Sequence, residues 1–226
     1  LIAKLSASQK ALDGKLELQY DMSYMRYRND FFCGNFKQAA ILNPTYPIYD
    51  ESTASGYYMP QGTGLTNPVE DMKNRESYQD GNYFRGSIKA SYNILDGLKF
   101  SAFGAIEEGD NKKYWYNGII NTDIAGSGKA GRSTDTNLSR LFEATLDYVW
   151  ARNGHNLAAV AGVSYQNFLY DGMEVSNKGF PTASMKYYQI GNGDASKEYL
   201  NASSYRNSNT LAAAFARVNY NFDEKY

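Results

Sequence analysis

The sequence predicts an all-β chain: an antiparallel up-and-down meander of about seven strands, forming part of a transmembrane β-barrel with long extracellular loops. Three observations predict it. Apolar and polar residues alternate with period two in seven stretches, short and long connections alternate strictly between them, and aromatic residues gather near the strand ends.

The strands are expected at about 1–11, 15–27, 82–94, 98–107, 137–150, 155–169 and 209–222. In the first, Leu1, Ala3, Leu5 and Ala7 alternate with Lys4, Ser6 and Ser8. In the second, Leu16, Leu18, Tyr20, Met22 and Tyr24 oppose Glu17, Gln19, Asp21 and Ser23. A helix would scatter that set around its axis, whereas a strand collects it on one face. The third sets Phe84, Ile88, Ala90, Tyr92 and Ile94 against Arg85, Ser87, Lys89 and Ser91. The fourth sets Leu98, Phe100, Ala102 and Ile106 against Lys99, Ser101 and Glu107. In the fifth, Phe142, Ala144, Leu146, Tyr148 and Trp150 oppose Glu143, Thr145 and Asp147; in the sixth, Leu157, Ala159, Ala161, Val163 and Tyr165 oppose Asn156, Ser164 and Gln166. The seventh offers two registers. An Arg at a bilayer midplane costs roughly 2–4 kcal/mol, so Arg217 belongs to the wet side and Ala214, Ala216, Val218, Tyr220 and Phe222 to the apolar one. Arg26 and Arg140 share the apolar parity and are expected at strand ends, where that cost is small.

Asp13-Gly14, Asp96-Gly97 and Asn153-Gly154 mark short reversals, with a fourth expected at Asp223-Glu224-Lys225. The long loops are expected at 28–81, 108–136 and 170–208. A soluble sandwich has no reason to lengthen every second connection; a barrel with short periplasmic turns and long outer loops does. Tyr92, Tyr148, Trp150, Tyr220 and Phe222 lie beside the short turns, and Tyr24, Tyr27, Phe84, Tyr165 and Phe168 near the long loops, as two aromatic girdles would. Seven is not a closed single-chain barrel, so the 226 residues read as a piece of a larger one, without a leader segment at LIAKLSASQKAL.

Composition narrows the function. Mean hydropathy is −0.58 and no apolar run reaches the length of a spanning helix, which leaves strands as the route into a membrane. Lys and Arg total 23 against 24 Asp and Glu, with no basic block, so nucleic-acid binding has no electrostatic footing. Cys33 is the single cysteine. No catalytic or metal constellation stands out, and neither an enzymatic activity nor a cofactor is expected. His155 beside Asn153-Gly154 reads as a solvated or interfacial residue. Glu107, Glu108 and Asp110 read as a solvated rim before a cation site, and Gly126-Ser127-Gly128-Lys129 as loop, since the phosphate-loop spacing is missing. The aromatic loops are the candidate ligand contacts: Tyr46, Tyr49, Tyr57 and Tyr58 in the first, Tyr114, Trp115 and Tyr116 in the second, Tyr187 and Tyr188 in the third. Rings with a polar tip suit sugars or peptides at a wet surface, and they equally suit packing of loops against one another.

Asn43–Glu51 (NPTYPIYDE), Leu95–Phe100 (LDGLKF), Gly179–Gly193 (GFPTASMKYYQIGNG) and Leu211–Tyr226 (LAAAFARVNYNFDEKY) resemble the SusC/RagA family of TonB-dependent outer-membrane transporters. The resemblance covers essentially the whole chain. It implies an early-to-middle part of a 22-stranded barrel in a bacterial outer membrane. It also implies a plug domain elsewhere in the protein through which TonB-ExbB-ExbD couples energy, a SusD-like surface lipoprotein as lid, and oligosaccharide or peptide ligands. On that view Arg85, Lys89, Glu143, Asp147 and Arg217 face the lumen, toward ligand, plug or water. A non-transporting barrel or surface adhesin would share the strand pattern, and a soluble all-β glycan-binding module is the more distant alternative.

Overall fold

The computed structural model describes residues 1–34, 36–60, 62, 64–118, 128–194 and 198–223. Seven strands form one antiparallel sheet in chain order: β1 (Ile2–Ala11), β2 (Leu16–Asp30), β3 (Arg75–Leu95), β4 (Leu98–Asn117), β5 (Lys129–Arg152), β6 (His155–Lys178) and β7 (Asn201–Phe222). Two short helices, α1 (Phe36–Ile41) and α2 (Pro68–Asn74), lie between β2 and β3.

The short turns at one end follow from their residues. Asn153 and Gly154 both take positive φ (51° and 81°), the pair of left-handed conformations that a tight hairpin needs and that Asn-Gly adopts at least cost. Asp13 and Gly14 do the same within the β1–β2 turn (56° and 82°).

Cross-strand register decides which residues share a face, because directly paired residues in antiparallel strands point the same way. Tyr20 pairs with Ile88, Ile88 with Gly104, Gly104 with Phe142, Phe142 with Tyr165 and Tyr165 with Ala212. Ala7 extends that row onto β1 through Tyr20. The apolar parities of all seven strands therefore fuse into one continuous apolar face. Arg217 pairs with Val160, Val160 with Asp147 and Asp147 with Lys99, all on the opposite face, so the register chosen for β7 is the one the sheet adopts.

Among the described residues nothing covers the apolar band between the Tyr92 and Phe84 rows. Ile88 is 46% exposed, Phe142 50% and Val218 67%. Total accessible surface is 14974 Å², against about 10,300 Å² for a compact chain of this mass. The buried apolar residues, Tyr78, Tyr116, Ala130, Phe180, Tyr187 and Ile190, form a single cluster at the long-loop end. Among the described residues there is no second layer beneath the sheet.

The strands run further than their hydropathy shows. β3 begins at Arg75 rather than 82, β4 continues to Asn117, β5 begins at Lys129, β6 continues to Lys178 and β7 begins at Asn201. The intervening loops shrink to 31–74, 118–128 and 179–200. The extensions carry polar residues on both faces, such as Asp80, Lys112 and Thr134 on one and Gln79, Lys113 and Ser133 on the other, which pair in unbroken ladders. Where both faces are wet, backbone hydrogen bonding alone specifies the strand, and alternation, the signal used to find it, disappears. Two further differences follow. Tyr27 and Phe168 point to the polar face, in register with Gly81 and Ser139, and are not girdle residues. Arg140 lies mid-way along β5 and Arg26 four residues before the end of β2, so neither is at a strand end.

On the polar face, rings lie flat over glycines across the ladder. Tyr27 covers Gly81, Trp115 covers Gly131, Phe215 covers Gly162 and Tyr205 covers Gly172; a Cβ at any of these glycines would collide with the ring. Each aromatic thereby lies along the wall instead of standing away from it.

Candidate functional site

The polar face holds a groove of about 420 Å³ spanning β2 to β6, from Phe103 at its lower end to Tyr27 and Asn111 at its upper end. Its floor is apolar: Phe103, Leu141, Phe168 and Tyr170 reach it because each breaks the expected polarity of its parity. Arg85 Nε and Glu107 Oε1 form an ion pair at 3.1 Å, and Tyr83 donates its hydroxyl to the other Glu107 oxygen at 3.0 Å. At the upper end Tyr27 donates to Asn111 Oδ1 at 2.5 Å, and Gln79 Nε2 donates to the same oxygen at 2.9 Å. The Arg85 and Glu107 side chains are 57% and 36% exposed, so their pairing contributes about 0–1 kcal/mol and serves chiefly to hold both groups in place. The groove thus offers an aromatic floor, one fixed cation, one fixed anion and an amide, with no nucleophile placed beside a base.

Lys89, Glu143, Asp147 and Arg217 lie lower on the same face. Lys89 sits between Gln19 and Phe103, Glu143 between Phe103 and Ser164, Asp147 between Lys99 and Val160, and Arg217 opposite Val160. Of the five charged residues assigned from sequence, Arg85 alone lines the groove. Tyr27, Gln79, Tyr83, Phe103, Asn111, Leu141, Phe168 and Tyr170 were not anticipated. The signal was present: Met25, Tyr83, Phe103, Leu141 and Phe168 are large residues on the wrong parity. The acidic set divides, with Glu107 in the groove and Glu108 on the apolar-side parity, while Asp110 accepts from Thr136 at 2.7 Å.

The loop tyrosines fall into two groups. Tyr46, Tyr49, Tyr57 and Tyr58 form a small knot in the first loop. Tyr49 and Tyr57 make a β-bridge with ring centroids 5.4 Å apart, and the Tyr46 and Tyr58 rings also lie 5.4 Å apart. Asn67 fastens the knot by donating to Ile48 O (2.8 Å) and Tyr58 O (3.1 Å), while its own Oδ1 caps α2 by accepting from Val69 N. Tyr46 and Tyr49 remain 40% and 64% exposed.

The second group packs inward. Tyr78 stacks on Tyr114 at 4.8 Å, and Tyr187 closes on both at 5.6 and 5.4 Å. Arg28 lies 3.9 Å over the Tyr78 ring and Arg132 4.8 Å over Tyr114. Glu76 receives two charge-assisted bonds, from Lys186 at 2.5 Å and from the Tyr187 hydroxyl at 2.6 Å. Tyr187 and Tyr116 are buried, Trp115 points to the polar face beside Lys129, and Tyr188 is 65% exposed. The register places Glu76, Tyr78, Tyr114, Tyr116 and Ala130 on the same parity as the apolar band, so the loop residues Phe180, Tyr187 and Ile190 fold back over that side of the sheet, beyond the band, and not over the groove. Of the Gly-Ser-Gly-Lys stretch, Gly126 and Ser127 lie outside the described residues, as do Glu224, Lys225 and Tyr226. Gly128 and Lys129 lead into β5.

The clasp is pH-sensitive at both extremes. Burial raises the Glu76 carboxyl, but bonds from Lys186 and Tyr187, with the charges of Lys186 and Arg28, outweigh it and leave it below the ordinary value. The bond to Glu76 holds Lys186 above its ordinary value, and burial together with the bond to Glu76 keeps the Tyr187 hydroxyl protonated. A lowered carboxyl contributes stability above its unfolded pKa that is lost as pH falls through the folded value; a raised ammonium contributes stability that is lost as pH rises through its folded value. Protection of the amides in the 179–200 loop, the intrinsic exchange rate relative to the observed rate at the same pH, is therefore expected to be highest around neutral pH and to fall on acidification through the carboxylate range and on alkalinisation beyond the ordinary ammonium range. Glu76→Gln should flatten the acid limb.

No family model matches the sequence. "TonB-dependent receptor P3" of Formosa agariphila is 28% identical over 189 residues, 81% of this chain and 18% of the relative. Among solved structures, the RagAB peptide transporter superposes with a TM-score of 0.77 at 18% identity, over 99% of this chain and 26% of that one. The RagAB peptide importer gives 0.77 in its 'open-open' state and 0.73 in its 'closed-closed' state, at 18% and 17% identity and the same coverage. The chain thus spans about a fifth of the curated relative and about a quarter of the solved chains. The resemblance to TonB-dependent transporters carried by the sequence motifs is borne out, and the fold is that of the RagAB sheet.

Proposed function

We propose that this chain is a wall segment of an outer-membrane β-barrel that imports peptides or oligosaccharides, with energy coupled through TonB. The observation that carries it is the continuous, uncovered apolar face shared by all seven strands, backed by a hydrated face that bears a groove and fixed charges. Along β3 the band runs from Tyr92 to Phe84, nine residues, within the range a tilted strand needs to cross a bilayer.

The aromatic rows support the same reading. Tyr24 and Phe84 share one row at the upper edge, whereas the upper aromatics of β5 and β6, Phe142 and Tyr165, stand four residues lower in register. Four residues are about 13 Å of strand, and the midpoints of the two pairs lie three interstrand spacings, about 14 Å, apart. Holding both edges level requires a strand tilt of about 43°, within the range of about 35–45° found in outer-membrane barrels.

By analogy with RagAB the ligand is a peptide. The groove supports this, because Arg85 and Glu107 present opposite charges to a zwitterionic chain above a floor that accepts apolar side chains. A SusD-like lipoprotein at the loop end and the TonB machinery on the short-turn side complete the proposal. The test is deletion of the full-length gene followed by growth on peptides or oligosaccharides as the limiting nutrient. Growth should fail on one class and return with the wild-type gene, but not in a strain lacking TonB. Normal growth of the deletion strain on every class tried would indicate an adhesin or a passive barrel instead.

A further inference from the structure

The apolar face carries two cations that the wall reading leaves unexplained. Arg140 projects from the middle of β5, with Phe142 and Leu138 two residues to either side and Ile106 and Asn167 across the ladder. Arg26 projects from β2 two residues beyond Tyr24 and opposite Asn82, whose Oδ1 accepts the Tyr24 hydroxyl at 2.9 Å. Both are exposed. Arg28, Arg75, Arg85 and Arg206 each form an ion pair, but among the described residues Arg26 and Arg140 form none. Glu108 and Asp110 share their face on β4, and Glu108 is diagonal to Arg140 without pairing to it.

Their height is the second observation. Arg26 lies in the row of Asn82, Asp110 and Thr136, and Arg140 is four residues lower on β5 than Thr136. That offset equals the slip of the aromatic rows, so with the strands tilted as above both arginines stand at one level. Each sits two residues beyond the last aromatic on the apolar side of its strand. A single level just past the aromatic edge is where lipid headgroups lie.

We propose, resting on the wall reading, that Arg26 and Arg140 each bind a phosphate of a phosphorylated glycolipid in the outer leaflet. The guanidinium fork matches two phosphate oxygens, while the adjacent apolar band receives the acyl chains. The two positions are about 19 Å apart, from about 14 Å across the strands and about 13 Å along them. Glu108 and Asp110 lie between, so these are two separate single-phosphate sites rather than one anionic groove.

The experiment uses the full-length protein in lipid nanodiscs containing either diphosphoryl lipid A or its dephosphorylated form, with retained lipid counted by native mass spectrometry. A basic side chain near an anionic lipid surface strengthens binding by about fivefold. Because the sites are separate, Arg26→Gln and Arg140→Gln should each weaken one site by about that factor and leave the other intact, and the double variant should lower retention of the phosphorylated lipid at both sites by about fivefold, with little change for the dephosphorylated form. Equal retention by wild type and double variant, or equal retention of the two lipids by wild type, overturns the proposal. A wild-type protein that enters neither bilayer overturns the wall reading itself and this assignment with it.

Discussion

Ile88→Arg in the full-length protein should destabilise the barrel in lipid by roughly 2–4 kcal/mol, a factor of about 30 to 900 in the folded-to-unfolded ratio. Ile88 lies midway between the Tyr92 and Phe84 rows of β3, flanked across the ladder by Tyr20 and Gly104. No carboxylate stands beside it on that face, and at mid-band a guanidinium is furthest from water in either direction. The neighbouring change Lys89→Leu, on the polar face between Gln19 and Phe103, should stay within about 0.5 kcal/mol. Urea-dependent refolding into lipid vesicles, read by heat-modifiable gel mobility, measures both. The contrast is diagnostic. In an aqueous β-sandwich a residue 46% exposed would tolerate Arg with little change, so equal stabilities for Ile88→Arg and Lys89→Leu would mean that the apolar face does not meet lipid.

Tyr187→Ala should release the β6–β7 loop while leaving the sheet intact. The ring is 2% exposed, contacts the rings of Tyr78, Tyr114 and Tyr188, and donates its hydroxyl to Glu76. Truncating an aromatic at such a site costs about 3–5 kcal/mol, set here against the local stability of one loop. Tyr187→Phe keeps the packing and loses a hydrogen bond to a charged acceptor, about 1.5–3 kcal/mol. Hydrogen exchange across 179–200 should accelerate by orders of magnitude in the first variant and less in the second. Amides in the middle of β5 and β6 should be unchanged, because their ladder runs from Lys129–Lys178 to Arg152–His155 without interruption. Unchanged loop exchange in Tyr187→Ala would show that the aromatic cluster does not fasten the loop.

The fold was legible in the sequence where membrane chemistry writes it. Between Tyr92 and Phe84, or Trp150 and Phe142, one face must be apolar, and period two records that requirement residue by residue. The register of β7 followed from one desolvation cost at Arg217. Beyond the apolar band the record stops: β3 from Arg75 to Gly81 and β5 from Lys129 to Thr136 are strands because their partners are strands, and a polar sequence pairs as readily as an apolar one. The site was less legible for a related reason. Aromatic density drew attention to Tyr114, Tyr116 and Tyr187, which pack together on the apolar-side parity. The groove is built from alternate residues of five strands, and only the register shows that Phe103, Leu141 and Phe168 are neighbours.

With the polar face turned inward as proposed, the rings lying over its glycines fix how much room the barrel interior retains. A tyrosine or tryptophan standing upright would project most of its length toward the axis; lying over Gly81, Gly131, Gly162 or Gly172, it takes up little more than the thickness of a ring. Replacing any of these glycines by alanine would tip its ring inward and constrict the passage locally without removing a single backbone hydrogen bond. On the proposed wall reading these four small residues set the calibre of the conduit, and cargo size should respond to them before folding does.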